Sequence, residues 1–273
     1  MKADINRLKA LSTRGRGYHG AAQPEVIDIE VLVVVGWGAK AEEAVARLRA
    51  SLAMEGAEEA EEAEEAGGEG KGGGGSGGAG GASGAPVLPP VLGFDTETRP
   101  CFVKKENRAA GDPGNKTAVI QLSSSTLCVV FCLDAARRDG GITEGLRALI
   151  ADPAVVKVGQ GIEADVVALN NEFGVVGGGI VNLEPLSVAV GVKHGSRSLR
   201  ALTAIFLQAR LTKGQQMSNW ENRPLTAAQT RYAALDAYVG FAIFRAMFTR
   251  HGHEAAWGDA YEAWRVPRRS SGL

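Results

Sequence analysis

Residues 91–100 (VLGFDTETRP) constrain the fold of this chain more than any other stretch of its sequence. Their apolar start predicts a buried β-strand, which leads into two carboxylates, Asp95 and Glu97, and stops at Pro100. Residues two apart on a strand point to the same face, so we expect both carboxylates to project together from the strand end. Two neighbouring anions repel each other unless a cation lies between them. The pattern therefore indicates a divalent-metal site, although an isolated D-x-E is more often a solvated strand end.

Two later segments place acids in settings that suit the same site. In residues 155–170 (VVKVGQGIEADVVALN) a predicted strand ends in glycines, and Asp165 lies about one turn into the helix that follows. In residues 231–244 (RYAALDAYVGFAIF) Asp236 stands among small and apolar side chains, where a charge is costly to bury unless it is paired. Tyr232 lies four residues earlier, on the same helix face. Each segment alone is compatible with an exposed acid or a core tyrosine, but together they give the order D-x-E, D, Y-x-x-x-D.

The order of predicted elements indicates an α/β or α+β layered fold with a mixed central sheet, because strands come first and helices alternate later. A serine turn joins two of the strands in a predicted hairpin. Strands are predicted over residues 27–35, from 91, and over 118–122, 127–133, 155–158 and 180–183. Helices are predicted over residues 39–54, 143–150, 162–173 and 198–207, and from a Thr226/Gln229 capping box to about Arg250.

Composition predicts one folded domain over residues 26–250 with tails on both sides. Residues 1–25 are basic and are expected to be disordered, and residues 251–273 form a C-terminal tail. The domain carries a low-complexity insert at about 55–90, rich first in Glu and Ala and then in Gly, which we interpret as a passive spacer. The E-E-A repeat of residues 55–65 would prolong the preceding helix, although like charges at helical spacing oppose this.

The net charge of −1 hides an asymmetry that favours a polyanionic partner. Residues 55–71 hold eight acids and one base, which leaves 23 acids and 29 bases elsewhere, an excess of six positive charges. The three cysteines lack C-x-x-C spacing, so neither a zinc site nor a disulfide framework is indicated, and a reducing compartment fits best. No stretch approaches the roughly 20 apolar residues that span a bilayer, so we expect no membrane partner.

The three segments that carry the acids resemble the three exonuclease motifs of the DEDDy group of 3′→5′ exonucleases, which have a ribonuclease H-like fold. GFDTE is similar to the first motif, VGQGIEADVVAL to the second and YAALDAYVGF to the third. AVIQLSS, SLRALTAIFL and SNWENRPLT resemble the segments that connect these motifs in the family. Within the group, the chain is most similar to the exonuclease domain of Werner syndrome protein and its stand-alone plant and algal relatives. The likeness covers roughly residues 91–248.

The resemblance implies a three-layer α/β fold with a mixed sheet flanked by helices. It also implies a two-metal-ion 3′→5′ exonuclease that acts on DNA and releases 5′-mononucleotides. Asp95, Glu97 and Asp236 are expected to hold one Mg²⁺ or Mn²⁺ ion, and Asp95 with Asp165 a second one, partly through water. Tyr232 is expected to complete the catalytic set by orienting the attacking water. Hard oxygen ligands suit these ions, and the scarcity of His and Cys beside the motifs disfavours zinc.

A basic loop after the first motif and one tryptophan are candidate nucleic-acid contacts. They are Arg99, Lys104, Lys105, Arg108 and Trp220. The basic side chains would meet phosphates and make the affinity depend on salt, although a solvated basic loop has the same composition. For Trp220, base stacking competes with a role as a packing anchor.

Two alternatives stay open at this point. One is a nucleic-acid-binding or partner-binding module with little or no turnover, because Thr98 stands where the family often has an aromatic residue. The other is an exonuclease that trims RNA 3′ ends, because no residue identifies a contact to the 2′-hydroxyl. We expect an intracellular protein of the nucleus, or else of an organelle, with a role in DNA repair. The sequence identifies no helicase or repair partner.

Overall fold

The computed structural model of this protein describes residues 5–9, 28–68, 88–101, 103, 105–109, 114–212 and 214–251. Within these residues seven strands form one sheet, and helices cover both of its faces. The strands are β1 Ile5–Lys9, β2 Asp28–Val34, β3 Val91–Thr98, β4 Thr117–Ser123, β5 Leu127–Cys132, β6 Val156–Gly159 and β7 Ile180–Asn182. The helices are α1 Ala39–Gly68, α2 Leu133–Arg138, α3 Glu144–Ala151, α4 Ile162–Phe173, α5 Leu183–Ala189, α6 Leu199–Leu207 and α7 Ala227–His251.

The sheet is mixed, with the order β1-β2-β5-β4-β3-β6-β7. β3, β4 and β5 form an antiparallel centre, and β6 and β7 extend it in parallel with β3. β2 pairs with β5 in parallel and with β1 in antiparallel orientation. Because β3 and β6 are parallel neighbours, their carboxyl ends meet at one edge of the sheet. The D-x-E pair and the start of α4 therefore lie at the same edge.

Alternation along the strands divides the core into two layers of helices. Leu92 and Phe94 of β3 pack in one cluster with α1, α3 and α4, which cover the first face. Val91 packs on the opposite side with α5, α6 and α7, which cover the second face. The predicted three-layer α/β fold of the ribonuclease H type is confirmed. None of the described helices is both long and apolar enough to cross a membrane.

The central elements agree with the sequence-based expectations. The serine turn joins β4 to β5 as an antiparallel hairpin, as predicted. The capping box forms as well: Gln229 N donates to Thr226 Oγ1 at 3.2 Å, and Thr226 N donates to Gln229 Oε1 at 3.0 Å. The short helices α2 and α5 were not predicted, because six or seven residues are too few to show helical periodicity. The Glu/Ala repeat does prolong the first helix, and α1 continues to Gly68.

Part of the N-terminal tail that was predicted to be disordered forms a strand at the edge of the sheet. Residues Ile5–Lys9 lie within that segment, yet their backbone forms β1 and pairs with β2. A strand at the edge of a sheet offers unpaired backbone groups, and pairing with a nearby segment satisfies them. The rest of the basic tail, the Gly-rich part of the insert and the C-terminal tail from residue 252 lie outside the described residues.

One charged side chain is built into the core beside the first helix layer. Lys157 of β6 is fully buried. Its Nζ donates to the carbonyl oxygens of Leu149 at 3.2 Å, Asp152 at 2.6 Å and Val155 at 2.7 Å. The last carbonyls of a helix have no partner within the helix, so Lys157 satisfies the carboxyl end of α3 and the turn that follows. The ammonium group thereby joins α3 to β6.

We predict that Lys157→Met lowers the free energy of unfolding by about 3 kcal/mol, because three carbonyl oxygens each lose a hydrogen bond from the buried Nζ. Urea denaturation followed by circular dichroism measures the change. Lys193→Met is the matched control, because Lys193 is exposed, and we expect its effect to stay within about 0.5 kcal/mol. Equal midpoints for the two variants would contradict a structural role for the buried ammonium group.

Candidate active site

Three carboxylates converge where β3 meets α7. Asp95 and Glu97 lie near the carboxyl end of β3, and Asp236 projects from α7. One oxygen from each lies within 4.8 Å of the others, and the side chains are largely buried. Residue alternation explains the shared direction: Leu92 and Phe94 face the first helix layer, so Asp95 and Glu97 face α7. The arrangement offers several hard oxygen ligands to one cation.

Asp165 approaches this cluster from α4. The helix starts directly after β6, with Gly161 as its N-cap at a φ of 69°, a conformation that suits glycine. Asn182 Oδ1 accepts a hydrogen bond from Gly161 N at 3.1 Å, which anchors the turn to β7. Asp165 Oδ1 accepts from Thr96 Oγ1 at 2.5 Å. The fourth acid is therefore tied to the strand residue between the first two.

The electrostatics of the cluster favour a bound cation. Burial raises the pKa of Asp95 well above its usual range, and the charges of Asp236, Asp165 and Glu97 raise it further. Burial, followed by the charges of Asp236 and Asp165, raises the pKa of Glu97 to about 8. The pKa of Asp165 rises to about 6 through burial, against the lowering effect of the Thr96 hydrogen bond. A divalent cation would stabilise the ionised forms of these carboxyl groups.

Tyr232 completes the group one helical turn before Asp236. Burial raises its pKa above its usual range, and the neighbouring charges of Asp236, Glu97 and Asp95 raise it further. The phenol donates a hydrogen bond to Asp236, which acts in the same direction. A hydroxyl in this environment keeps its proton at neutral pH. It can therefore orient a hydrogen-bonded group.

Trp220 is not a base-stacking residue, and this part of the prediction is wrong. Its side chain is fully buried, and its ring packs 6.0 Å from the Tyr232 ring, centroid to centroid. The loop around it is anchored by Arg223, which contacts Asp134 Oδ1 at 2.6 Å and donates to the carbonyl of Trp220 at 2.9 Å. Trp220 thus supports Tyr232 from within the protein. The sequence pattern around a tryptophan is the same whether the ring stacks on a base or packs in the core, so the sequence could not separate these two roles.

The structure gives a partial account of the basic loop. Arg99 is 59% exposed, and its Nη1 lies 3.0 Å from Glu221 Oε2. Arg108 Nε donates to the carbonyl oxygen of Val103 at 2.9 Å. Lys105 begins a 3₁₀ turn but its side chain is not among the described parts, and Lys104 lies outside the described residues. The nucleic-acid role of these four residues stays a prediction.

Two positions near the acids were missed from the sequence. Thr96 lies between Asp95 and Glu97 on the strand, so its side chain points to the opposite face, toward α4. This alternation is the sequence signal from which its contact with α4 could have been predicted. Gly93 lies two residues before Asp95, on the face that meets α7. A Cβ at Gly93 would overlap the carbonyl oxygen of Ala237. A glycine within a strand is a signal of close backbone approach, and here α7 is the approaching element.

A cavity of about 200 Å³ opens beside Tyr232 and Asp236. It lies between α7 and the loop that precedes it. Its remaining lining residues are Leu211, Thr212, Gly214, Gln215, Ala228, Arg231 and Leu235. Of the four acids, Asp236 is the one that lines this cavity.

We predict that the cluster makes stability depend on pH when no divalent cation is present. The folded protein holds the Glu97 proton to about pH 8, whereas the unfolded chain releases it near 4.5. The folded state therefore binds more protons in this window, and stability falls as pH rises through it. Urea midpoints in EDTA between pH 5 and 8.5 should fall less steeply for Glu97→Gln than for the parent. Identical slopes for both proteins would contradict the raised pKa.

We predict that Gly93→Ala separates β3 from α7, since the added methyl group overlaps backbone. The free energy of unfolding should fall by at least about 3 kcal/mol, measured in urea. Gly56→Ala is the matched control, because nothing lies within 4 Å of a Cβ there. Alanine within the α1 helix should be neutral or stabilising by about 0.5–1 kcal/mol. A Gly93→Ala variant as stable as the parent would show that this contact is not tight.

Three curated relatives show how the chain compares with known proteins. A 3′-5′ exonuclease of Arabidopsis thaliana is 33% identical over 162 residues, which are 57% of this chain and 52% of that protein. The bifunctional 3′-5′ exonuclease/ATP-dependent helicase WRN of Mus musculus is 32% identical over 160 residues, 57% of this chain and 11% of that protein. Ribonuclease D of Musicola paradisiaca (strain Ech703) is 34% identical over 90 residues, 33% of this chain and 24% of that protein. The chain spans about half the length of the first relative and smaller shares of the other two.

A solved structure and a family model extend the comparison. Brucella melitensis NrnC with bound Mg²⁺ has the same fold, with a TM-score of 0.52 at 17% identity, over 65% of this chain and 81% of that one. The model of the 3′-5′ exonuclease family matches residues 83–250, which is more than half of the chain and contains every acid of the cluster. On this match the chain belongs to the 3′-5′ exonuclease family.

Proposed function

We propose that this chain is a 3′→5′ exonuclease that hydrolyses phosphodiester bonds from the 3′ end of a nucleic acid with two Mg²⁺ or Mn²⁺ ions. The observation that carries the proposal is the convergence of Asp95, Glu97 and Asp236 within 4.8 Å at the junction of β3 and α7. Family membership supports the same activity. Water adds to the phosphorus and the bond to the 3′-oxygen of the preceding nucleotide breaks. The products are a 5′-mononucleotide and a chain shortened by one residue.

The donor set fits the proposed ions. Asp95, Glu97 and Asp236 would hold one ion, and Asp95 with Asp165 the second. All four supply carboxylate oxygens, which suit Mg²⁺ and Mn²⁺ and are poor ligands for soft metals. When bound, the ions supply positive charge that stabilises the attacking and leaving oxygens of an in-line displacement. Binding of Mg²⁺ by NrnC, a protein of the same fold, supports this choice.

Tyr232 would position the attacking water. Its hydroxyl is held by Asp236 and keeps its proton, because burial and the surrounding carboxylates raise its pKa. A fixed donor beside the cluster can orient water for attack without taking its proton. Trp220 packs against the Tyr232 ring and restricts its movement. This pair of aromatic rings thus gives the water a defined direction of approach.

The cavity beside Tyr232 and Asp236 would receive the 3′-terminal nucleotide. The remaining strand would pass the exposed Arg99 at the end of β3. A guanidinium at this place can meet a backbone phosphate, and such contacts make affinity fall as salt rises. The other residues of the basic loop, Lys104, Lys105 and Arg108, would extend the same contact.

We propose DNA as the substrate. The similarity to the exonuclease/helicase WRN extends over 57% of this chain, whereas that to ribonuclease D extends over 33%. We also propose a location in the nucleus, or else in an organelle, and a role in DNA repair; a fluorescent fusion tests the location. RNA trimming remains the alternative to test, because ribonuclease D is among the relatives.

The test uses 5′-labelled single-stranded and recessed DNA and the matching RNAs, with Mn²⁺ or EDTA. We predict a ladder shortened from the 3′ end, present with Mn²⁺ and absent with EDTA. Asp95→Asn and Asp236→Asn should lower the rate at least about 100-fold, because each removes a charge from the cluster. Tyr232→Phe should lower it about 10- to 100-fold, since it keeps the ring but removes the hydroxyl. Rates come from the disappearance of the full-length band.

Asp139→Asn is the matched control, because Asp139 is an exposed acid at the end of α2 and is not one of the cluster acids. It should keep the parent rate. A ladder that the two cluster variants leave unchanged would refute the assigned site. Tight binding of the labelled strands without any ladder would instead favour a binding module, and a ladder on RNA alone would overturn the choice of DNA.

A further inference from the structure

Gln121 of β4 is the buried polar residue nearest in the sheet to Asp95. It is fully buried, and the two residues pair directly across β4 and β3. Directly opposed residues of an antiparallel pair place their side chains on one face, with Cβ atoms about 4.5–5.5 Å apart. Its partner on the other side is the apolar Val130 of β5. Of these two direct neighbours, Asp95 alone has a side chain that can form a hydrogen bond.

The side-chain amide of Gln121 has no hydrogen-bond partner among the described residues. Both Oε1 and Nε2 are buried and unpaired there. Buried polar groups are nearly always hydrogen-bonded, because burial removes their hydrogen bonds to water and costs free energy unless other partners replace them. The unpaired amide of Gln121 is therefore available to form a hydrogen bond with a neighbouring carboxylate.

A second buried glutamine shows what a structural role looks like in this fold. Gln229 is equally buried, at 1% exposure. Its Nε2 donates to Ser218 Oγ at 3.0 Å and to Asn219 O at 2.8 Å, and its Oε1 accepts from Thr226 N. Gln229 thus joins the loop to α7 through satisfied bonds. Gln121 joins no elements in this way, so a purely structural role does not explain it.

We infer that Gln121 is a positioning residue for Asp95: its Nε2 donates a hydrogen bond to the Asp95 carboxylate when that carboxylate binds a divalent cation. This inference rests on the proposed function. A carboxylate that gives one oxygen to a cation has a second oxygen, and a donor to that oxygen fixes the orientation of the ligand. An amide supplies the donor without adding positive charge, so it does not compete with the cation as Lys or Arg would.

The test measures Mn²⁺ binding by calorimetry on the full chain without nucleic acid. Gln121→Met keeps the side-chain length and removes both polar atoms, and Gln121→Leu serves as a second variant. Ser123→Ala is the matched control, because Ser123 is buried on the same face of β4 but lies opposite Gly93. Asp95→Asn tests the metal site itself. Melting temperatures in EDTA report folding separately.

We expect Gln121→Met and Gln121→Leu to bind Mn²⁺ about 10-fold more weakly than the parent. Their melting temperatures in EDTA should equal or exceed that of the parent, because buried unpaired atoms are removed. In the nuclease assay kcat should fall with KM unchanged. Ser123→Ala should keep the Mn²⁺ affinity of the parent.

Three results would overturn the inference, and they differ from one another. Parent-like Mn²⁺ affinity in the Gln121 variants, beside a loss in Asp95→Asn, would refute the role of Gln121 and leave the metal site standing. A lower melting temperature with unchanged affinity would assign Gln121 to structure alone. If Asp95→Asn binds Mn²⁺ as the parent does, the proposed metal site fails, and the inference about Gln121 fails with it.

Discussion

The close approach of α7 to β3 is the constraint on which the rest of the site depends. Gly93 has no side chain, so the backbone of α7 at Ala237 rests directly on the strand. This contact brings Asp236 to Asp95 and Glu97, although about 140 residues separate them along the chain. The sheet order adds Asp165, because β6 lies beside β3 and releases α4 at the same edge. The close backbone contact between α7 and β3 thus determines which acids are grouped together.

The fold holds this acid cluster at a cost to its own stability. Asp95, Glu97 and Asp165 all have raised pKa values because the surrounding layers bury them. Such groups favour the unfolded state at neutral pH and must be offset elsewhere in the molecule. The two apolar layers on either side of the sheet provide that offset. The apolar packing of the two layers therefore allows the fold to keep a destabilising cluster of buried acids.

The sequence predicted the layered fold and the acids that the structure brings together, because motifs spaced along strands and helices show their periodicity directly. Asp95, Glu97 and the Tyr232/Asp236 face are examples in which a spacing of two or four residues fixes a shared direction. Contacts between elements that lie far apart along the chain could not be predicted from such local spacing. The burial of Trp220, the partner of Thr96 and the pairing of Ile5–Lys9 with β2 depend on which elements become neighbours. A single sequence does not encode that in any local pattern.

The position of the insert has a consequence for how this domain can be joined to other proteins. α1 ends at Gly68 and β3 starts at Val91, while the acid cluster lies at the opposite, carboxyl end of β3. Chain added between these two points enters the sheet at the end remote from the cluster. Doubling the length of such a connection costs only about 0.6 kcal/mol in loop-closure entropy. The same place could therefore host a tether or an entire second domain while the cavity beside Tyr232 and Asp236 stays open.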